Sequence, residues 1–336
     1  MRSRFHVRRR LTIAVSAATL AVVSACGGSS RGENVRVTIP SGSSFSAAID
    51  TLAHAGVVSW PRMFRMYASA RGRDRDLKAG TYVFRDGASW SAVLDALTRG
   101  KGLVHTVTIP EGFALSSIAT LLGRALSVPA ESIVVAASDS ALRRRLDVPT
   151  PTLEGYLFPD TYTFAEGTSP QEAVRMLVSE FEKVWKPEWD ARLQELAMSR
   201  NDIVTLASII EKEARLAEER PVISAVYHNR LRIGMLLQAD PTVQYALGKH
   251  VDRVLFKDLE VDSRYNTYKH PGLPPGPIAS PGAKSLEAAL YPANVPYLYF
   301  VAHPDGHHEF RQTFSEHTEA RQQIRRENPP RSPSRD

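Results

Sequence analysis

The chain has a single cysteine, Cys26, among its 336 residues. No intrachain disulfide can form, so a hydrophobic core must hold the fold together, and a cysteine nucleophile is excluded because Cys26 falls in an N-terminal tether. There is no G-x-S-x-G elbow, no Walker-type loop and no dinucleotide fingerprint, which removes the common serine-hydrolase and nucleotide-dependent chemistries. An excess of one charge is also missing. The formal net charge of +6 includes Arg2, Arg4, Arg8, Arg9, Arg10 and a basic tail, so the folded part is closer to neutral and no nucleic-acid partner is expected. Nor is there a long apolar run at the start: Leu11 to Ala25 is fifteen residues, short of the roughly 20 that span a bilayer as a helix.

What is present is ordinary globular material, 43% hydrophobic and 23% charged, long enough for two domains. The N-terminal arginines followed by the short apolar run and small residues read as an export signal, with the charges kept in the cytoplasm and the rest crossing. Two forms of that signal are open. Val23-Ser24-Ala25-Cys26 resembles a bacterial lipobox, in which Cys26 is lipidated and Gly27, Gly28, Ser29, Ser30 and Gly32 form a flexible tether. Alternatively the segment is an uncleaved anchor. Both place the bulk of the chain outside the cytoplasm and beside the membrane.

Four times a β-branched or aromatic strand is followed by a glycine turn and an amphipathic helix. The copies are Val37 to Ile39 with Gly42, Tyr82 to Phe84 with Gly87, Val107 to Ile109 with Gly112, and Tyr162 to Phe164 with Gly167. Apolar residues seven and ten positions after each glycine share a helical face. Glycine separations of 45, 25 and 55 residues are too irregular for a solenoid, so an α+β protein is expected. A short helix over Trp60 to Arg71 completes a β/α module at residues 35–101, after a signal or anchor at 1–26 and a tether at 27–34. A helix-rich domain at 102–326 and a disordered tail at 327–336 complete the expected layout.

The most informative stretch runs from Asn201 to Gly248. Ile203, Leu206, Ala207, Ile210, Ala214 and Ala217 form one stripe at about 100° per residue, with Asn201 or Asp202 as the N-cap. Glu211 and Glu213 fall on its opposite margins, and the wheel does not choose between them. A carboxyl at such a margin is either half-desolvated and able to hold a proton for donation, or a solvated partner of Arg215. Beyond it, Gln238, Asp240, Thr242 and Gln244 suit a saccharide groove, although Asp240-Pro241 also suits a helix start. Tyr265-Asn266-Thr267-Tyr268 suits sugar rings and equally a plain strand. The segment His303 to Glu309 lacks metal-ligand spacing and contains the turn Pro304-Asp305-Gly306, so neither a metal nor another cofactor is expected.

Longer motifs carry a family resemblance. Leu206-Ala-Ser-Ile-Ile-Glu-Lys-Glu213, Asn229 to Met235, Leu237-Gln-Ala-Asp-Pro-Thr-Val243, Tyr265 to Tyr268, Gly272 to Gly276, Ile278-Ala-Ser-Pro-Gly282, Tyr297 to Val301 and, upstream, Glu154 to Tyr162 resemble the MltG (YceG-like) endolytic murein transglycosylases. The resemblance runs from about Val37 to the last helix. It implies a membrane-anchored protein in which a small LysM-like module precedes an α+β catalytic domain. The implied activity is cleavage of the β-1,4 bond between N-acetylmuramic acid and N-acetylglucosamine in nascent glycan strands, leaving 1,6-anhydromuramyl ends.

By that resemblance Glu211 is the catalytic acid, and Gln238, Asp240, Thr242, Tyr265, Asn266, Tyr268 and Glu154 are the candidates for holding sugar or ordering the site. The substrate is peptidoglycan glycan strands, with peptidoglycan synthases as neighbours at the outer face of the cell membrane. The short run ending at Cys26 departs from the single transmembrane helix usual in the family. A non-catalytic peptidoglycan-binding lipoprotein is the competing reading. A hydrolase using Glu154 or Asp160 as a second carboxylate is a third.

Overall fold

The computed structural model describes residues 34–100, 102–248 and 254–328. The signal or anchor with Cys26, nearly all of the tether, and the tail from residue 329 onward lie outside the described residues. Strands are β1 (Asn34–Ile39), β2 (Gly80–Arg85), β3 (Leu103–Thr108), β4 (Thr161–Ala165), β5 (Tyr299–Ala302) and β6 (His308–Arg311). The first helices are α1 (Phe45–His54), α2 (Pro61–Ser69), α3 (Trp90–Arg99), α4 (Leu115–Leu126), α5 (Ala130–Ala136) and α6 (Ser140–Arg145). Then come α7 (Pro170–Val184), α8 (Pro187–Leu196), α9 (Arg200–Glu213), α10 (Arg220–Arg232), α11 (Asp240–Ala246), α12 (Ala283–Leu290) and α13 (Phe314–Glu327). Helices with two small antiparallel sheets make an α+β protein.

Each of the four strand-turn-helix units is present, and their strands form one antiparallel sheet in the order β1-β2-β3-β4. Alternation decides its faces. Val37, Ile39, Tyr82, Phe84, Val107 and Phe164 point into cores, while threonines line the other side, where Thr38 meets Thr81 at 3.0 Å and Thr108 meets Thr161 at 2.8 Å. Two separate apolar clusters result, one drawn from Val37 to Leu97 and the other from Val107 to Leu290. The sheet links them through a short pairing of Thr81 with Val104 and Tyr82 with Leu103.

Some boundaries differ from the sequence reading. Helix α9 begins at Arg200, because Ser199 and Asp202 form a reciprocal capping box and Asn201 is already inside the helix. Every residue from Ile203 to Ile210 is buried, so α9 is a core helix and not a one-sided amphipathic one. It ends at Glu213, where Ala214 turns extended, and Ala217 belongs to a separate 3-10 turn. Tyr265 to Tyr268 form turns and not a strand. Glu327, expected in the tail, closes α13. The segment around Pro304-Asp305-Gly306 is the turn of the β5–β6 hairpin, with β6 absent from the sequence reading.

Candidate active site

The C-terminal turn of α9 presents three consecutive side chains to three different surroundings. Glu211 faces the N-terminal end of α12. Its Oε2 accepts the Gly282 backbone N–H at 3.0 Å and the Ser285 hydroxyl at 2.7 Å, while Oε1 accepts Arg220 Nη2 at 3.3 Å. Arg220 Nε donates to Ser285 Oγ at 3.0 Å, so the guanidinium orients the hydroxyl that binds the carboxyl. The Glu211 side chain is only 7% exposed and that of Arg220 12%. Two residues from the start of α12 and one from the start of α10 thus hold this carboxyl in place.

Lys212 points to solvent and reaches the Gly112 carbonyl at 3.3 Å. It borders a cavity of about 750 Å³ whose wall includes Gly112, Leu115, Gln244 and Tyr245, with Glu154 among the lining residues. Glu213, on the far margin, accepts the Tyr227 hydroxyl at 3.0 Å, and desolvation pushes its pKa up to about 7. The helix therefore gives its two glutamates unlike environments, which the wheel could not do. A larger cleft of about 1290 Å³ opens near Asn201 at the other end of α9, about 15 Å along the helix from Glu211. The organised set of donors around a carboxyl lies at the C-terminal end.

The loop from Gly272 to Gly282 runs alongside α9 and is stitched to it. Asn201 Nδ2 donates to the Pro275 carbonyl at 3.5 Å, Ser208 Oγ accepts the Ile278 N–H at 3.0 Å, and Gly282 binds Glu211. Prolines at 271, 274, 275, 277 and 281 have no N–H to satisfy, so a few side chains suffice to hold this buried irregular segment.

The other candidates separate into exposed groups and scaffold. Gln238 is exposed and adopts a left-handed φ of 50°, uncommon for a residue with a side chain. Asp240 is exposed and accepts the Tyr268 hydroxyl at 2.5 Å instead of capping a helix; Ala239 holds the N-cap position of α11. Thr242 is fully buried, donating to the Ala239 carbonyl at 2.7 Å and meeting Thr267 Oγ1 at 2.8 Å. Asn266, equally buried, donates to the carbonyls of Leu259 and Val261 at 2.8 and 2.9 Å. Both order the loop from inside it and present no exposed surface to a sugar.

Tyr265 packs its ring 4.9 Å from that of Tyr245, next to Glu154. The Glu154 oxygens accept the Leu115 N–H at 2.9 and 3.1 Å and the Tyr245 hydroxyl at 3.3 Å, and burial pushes the carboxyl up to about 7. Leu115 opens α4, whose N-cap, Ala114, has no side-chain acceptor to offer. Glu154 therefore does the work of a missing cap. Asp160 holds the N–H of the adjacent Thr161 at 2.6 Å. In the hairpin, the His303 and His307 rings stack at 4.0 Å, and His308 Nδ1 lies 2.6 Å from Glu219.

Arg220, Ser285 and Gly282 were not singled out by sequence reading, nor was Glu111, which lies against Gly282. Gly282 at least stands inside a quoted motif. Arg220 has no local signal, because its partner lies nine residues away across a break between helices.

A carboxyl held by three donors at the end of a core helix, beside a residue that borders a cavity, sits in an α+β protein. The comparisons give the family. The YceG-like family profile matches residues 37–323, and the chain belongs to that family. It is 36% identical over 306 residues to the endolytic murein transglycosylase of Bacillus subtilis, covering 86% of this chain and 84% of that one. Against the endolytic murein transglycosylase of Streptococcus pneumoniae strain D39 it is 31% identical over 80% of its own length, and spans 54% of that longer protein. A crystal structure of a YceG-like protein from Listeria monocytogenes superposes with a TM-score of 0.62 at 34% identity, covering 85% of this chain and 98% of that one.

Proposed function

We propose that this protein is an endolytic peptidoglycan lytic transglycosylase with Glu211 as its general acid and base. The observation that carries this reading is the Glu211 carboxyl itself: nearly covered, fixed by Arg220, Ser285 and the Gly282 N–H, and next in sequence to Lys212, which borders the cavity. The bond cleaved is the β-1,4 link between N-acetylmuramic acid and N-acetylglucosamine. Glu211 protonates the leaving oxygen, the muramyl C6 hydroxyl attacks the anomeric carbon, and Glu211 accepts the hydroxyl proton.

An ordinary glycosidase needs a second carboxylate as nucleophile or to activate water. Here the nucleophile belongs to the substrate, and its high effective concentration replaces both. Glu154 and Asp160, the alternatives for a second carboxylate, are engaged in holding backbone N–H groups. Gln238 and Asp240 supply exposed polar groups for the sugar, with the half-buried Tyr268 hydrogen-bonded to Asp240. The N-terminal module, LysM-like by resemblance, stands between the membrane attachment and this domain, at the outer face of the membrane where peptidoglycan synthases work.

The test is incubation of wild type and Glu211→Gln with uncrosslinked glycan, with mass spectrometry of the products. Anhydromuramyl ends from wild type alone are expected. Equal product from both removes Glu211 from the acid role, reducing ends indicate a hydrolase, and no product from either supports a non-catalytic wall-binding protein.

A further inference from the structure

Helices α1, α2 and α3 close over the apolar cluster of the N-terminal module. Ser44 and Ser89 cap α1 and α3, each side chain accepting a backbone N–H of the first turn. At the same position of α2 stands Trp60, which caps nothing. It fills nothing either, being 68% exposed. Neither capping nor packing accounts for an indole at this point of the fold.

The rest of α2 continues the pattern. Phe64 and Ala68 face the core, while Met63 and Met66 stand on the far side, 54% and 67% exposed, with the exposed Ala70 closing the helix. Three of the ten large apolar side chains exposed among the described residues thus fall within seven consecutive positions. Arginines border them. From residue 60 to residue 75 there are Arg62, Arg65, Arg71, Arg73 and Arg75 against one acid, Asp74. Asp50 and Asp95 pair with Arg65 and Arg73. Arg71 lies over the Tyr67 ring of α2 at 4.2 Å, and neither it nor Arg62 has an acidic partner among the described residues.

Of the partners that cover such faces, two fit poorly. A sugar needs hydrogen-bonding groups, and two thioethers and an alanine methyl offer almost none. A second copy of the chain needs about 20 residues a side for a stable interface, far more than this short helix supplies. A bilayer with anionic headgroups matches both parts of the surface, since the indole and thioethers enter the acyl boundary while arginines meet phosphates. The start of the chain brings that bilayer near. Eight residue steps separate Cys26, where the sequence reads as attached to the membrane, from Asn34 of β1, a reach of at most about 27 Å. A module of this length has a radius of gyration of about 11 Å, so any of its faces can meet the surface.

We propose that the face of α2 formed by Trp60, Met63 and Met66 docks on an anionic membrane surface, with Arg62 and Arg71 against lipid phosphates, as a second attachment point of the N-terminal module. This goes beyond the transglycosylase reading and does not depend on Glu211. It rests on the membrane attachment read from the N-terminal sequence. The tether holds α2 at high local concentration beside the bilayer, so a helix too short to bind lipid by itself adds to the first attachment. Docking fixes which side of the module faces the membrane. Arg36 of β1 donates to Thr106 of β3 at 3.2 Å and Thr163 of β4 at 3.0 Å, and so passes that orientation to the strands of the next domain.

The test is the fluorescence of the full chain reconstituted into vesicles whose acyl chains carry bromine, a short-range quencher. Of the four tryptophans, Trp60 alone is exposed; Trp185 and Trp189 are buried, and Trp90 is half-buried against Phe64. With phosphatidylglycerol present, quenching is expected in wild type and not in Trp60→Phe. It should be at least about fivefold weaker in Met63→Ser/Met66→Ser, in Arg62→Gln/Arg71→Gln and in vesicles of phosphatidylcholine alone. All four substituted side chains in the double variants are exposed, so circular dichroism should match wild type. A wild-type chain that stays with the vesicles unquenched, or equal quenching in the methionine variant, overturns the docking. A Trp60 blue shift produced by soluble glycan fragments without lipid, or by raising protein concentration in detergent, assigns the face to sugar or to a second copy and overturns it too. Quenching in a chain that high salt strips from the vesicles supports the docking and counts against the N-terminal attachment alone.

Discussion

Arg220 touches Glu211 twice, directly through Nη2 at 3.3 Å and indirectly through Nε at 3.0 Å to Ser285 Oγ, which itself reaches Glu211 at 2.7 Å. One guanidinium thereby sets both the charge beside the carboxyl and the direction of the hydroxyl that binds it. Lysine carries its donors on one rotatable nitrogen and lacks the fixed two-nitrogen fork that makes these two contacts.

Arg220→Ala should therefore lower stability by about 3 kcal/mol, since it strands a nearly covered carboxyl. Arg220→Lys should recover much of that stability while leaving turnover impaired. Urea unfolding and product formation measured on the same preparations separate the two effects; equal recovery of both by lysine would show that only charge matters.

Glu154 and Glu213 share a pH signature. Both are pushed up to about 7 from an ordinary 4.5 by burial. Between those values the unfolded chain releases protons that the folded chain retains, so stability falls as pH rises from about 4.5 to about 7 and levels off above. Each group contributes up to about 3 kcal/mol to that fall. Glu213→Gln keeps an acceptor for the Tyr227 hydroxyl and should flatten the curve. Thermal melts across that window check it, and an unchanged slope counts against a buried, protonated Glu213.

Gly155→Ala should destabilise by about 3 kcal/mol, combining a left-handed backbone with overpacking. Gly155 has φ 82°, and a Cβ there would run into Pro277 and come within 3.1 Å of Val204 Cγ1. Because Pro277 belongs to the loop stitched to α9, activity should fall further than stability does. Denaturant midpoints with parallel assays of glycan cleavage test this.

Gln238→Gly should raise stability by about 1 kcal/mol by relieving the φ of 50°. If the exposed amide binds sugar, KM rises in the same variant. A gain in stability with unchanged KM would assign the strained residue to loop shape alone.

Much of the fold was legible because it is local. Strands with period two, a glycine and helices with period 3.6 recur at residues 37–52, 82–97, 107–122 and 162–177, and all four appear in the sheet and its helices. The start of α9 was misplaced because the capping box of Ser199 and Asp202 went unread, although it is as local as the rest. The β6 strand was missed because His308 to Arg311 has no apolar alternation, and it forms by pairing with β5.

By itself, the sequence determined the elements, the motif run that marks the family, and two glutamates at the margins of one helix. Tertiary structure alone decided their difference. Glu111, the pair Glu211 and Arg220, and the pair Gly282 and Ser285 come from three separate stretches of the chain, and what each carboxyl meets depends on which loop packs on which helix face. Periodicity encodes which face is buried. It carries no record of the donor, charge or missing side chain waiting on the other side, and those set whether a carboxyl is enclosed beside a tyrosine, as Glu213 is, or flanked by a second carboxyl across a glycine, as Glu211 is.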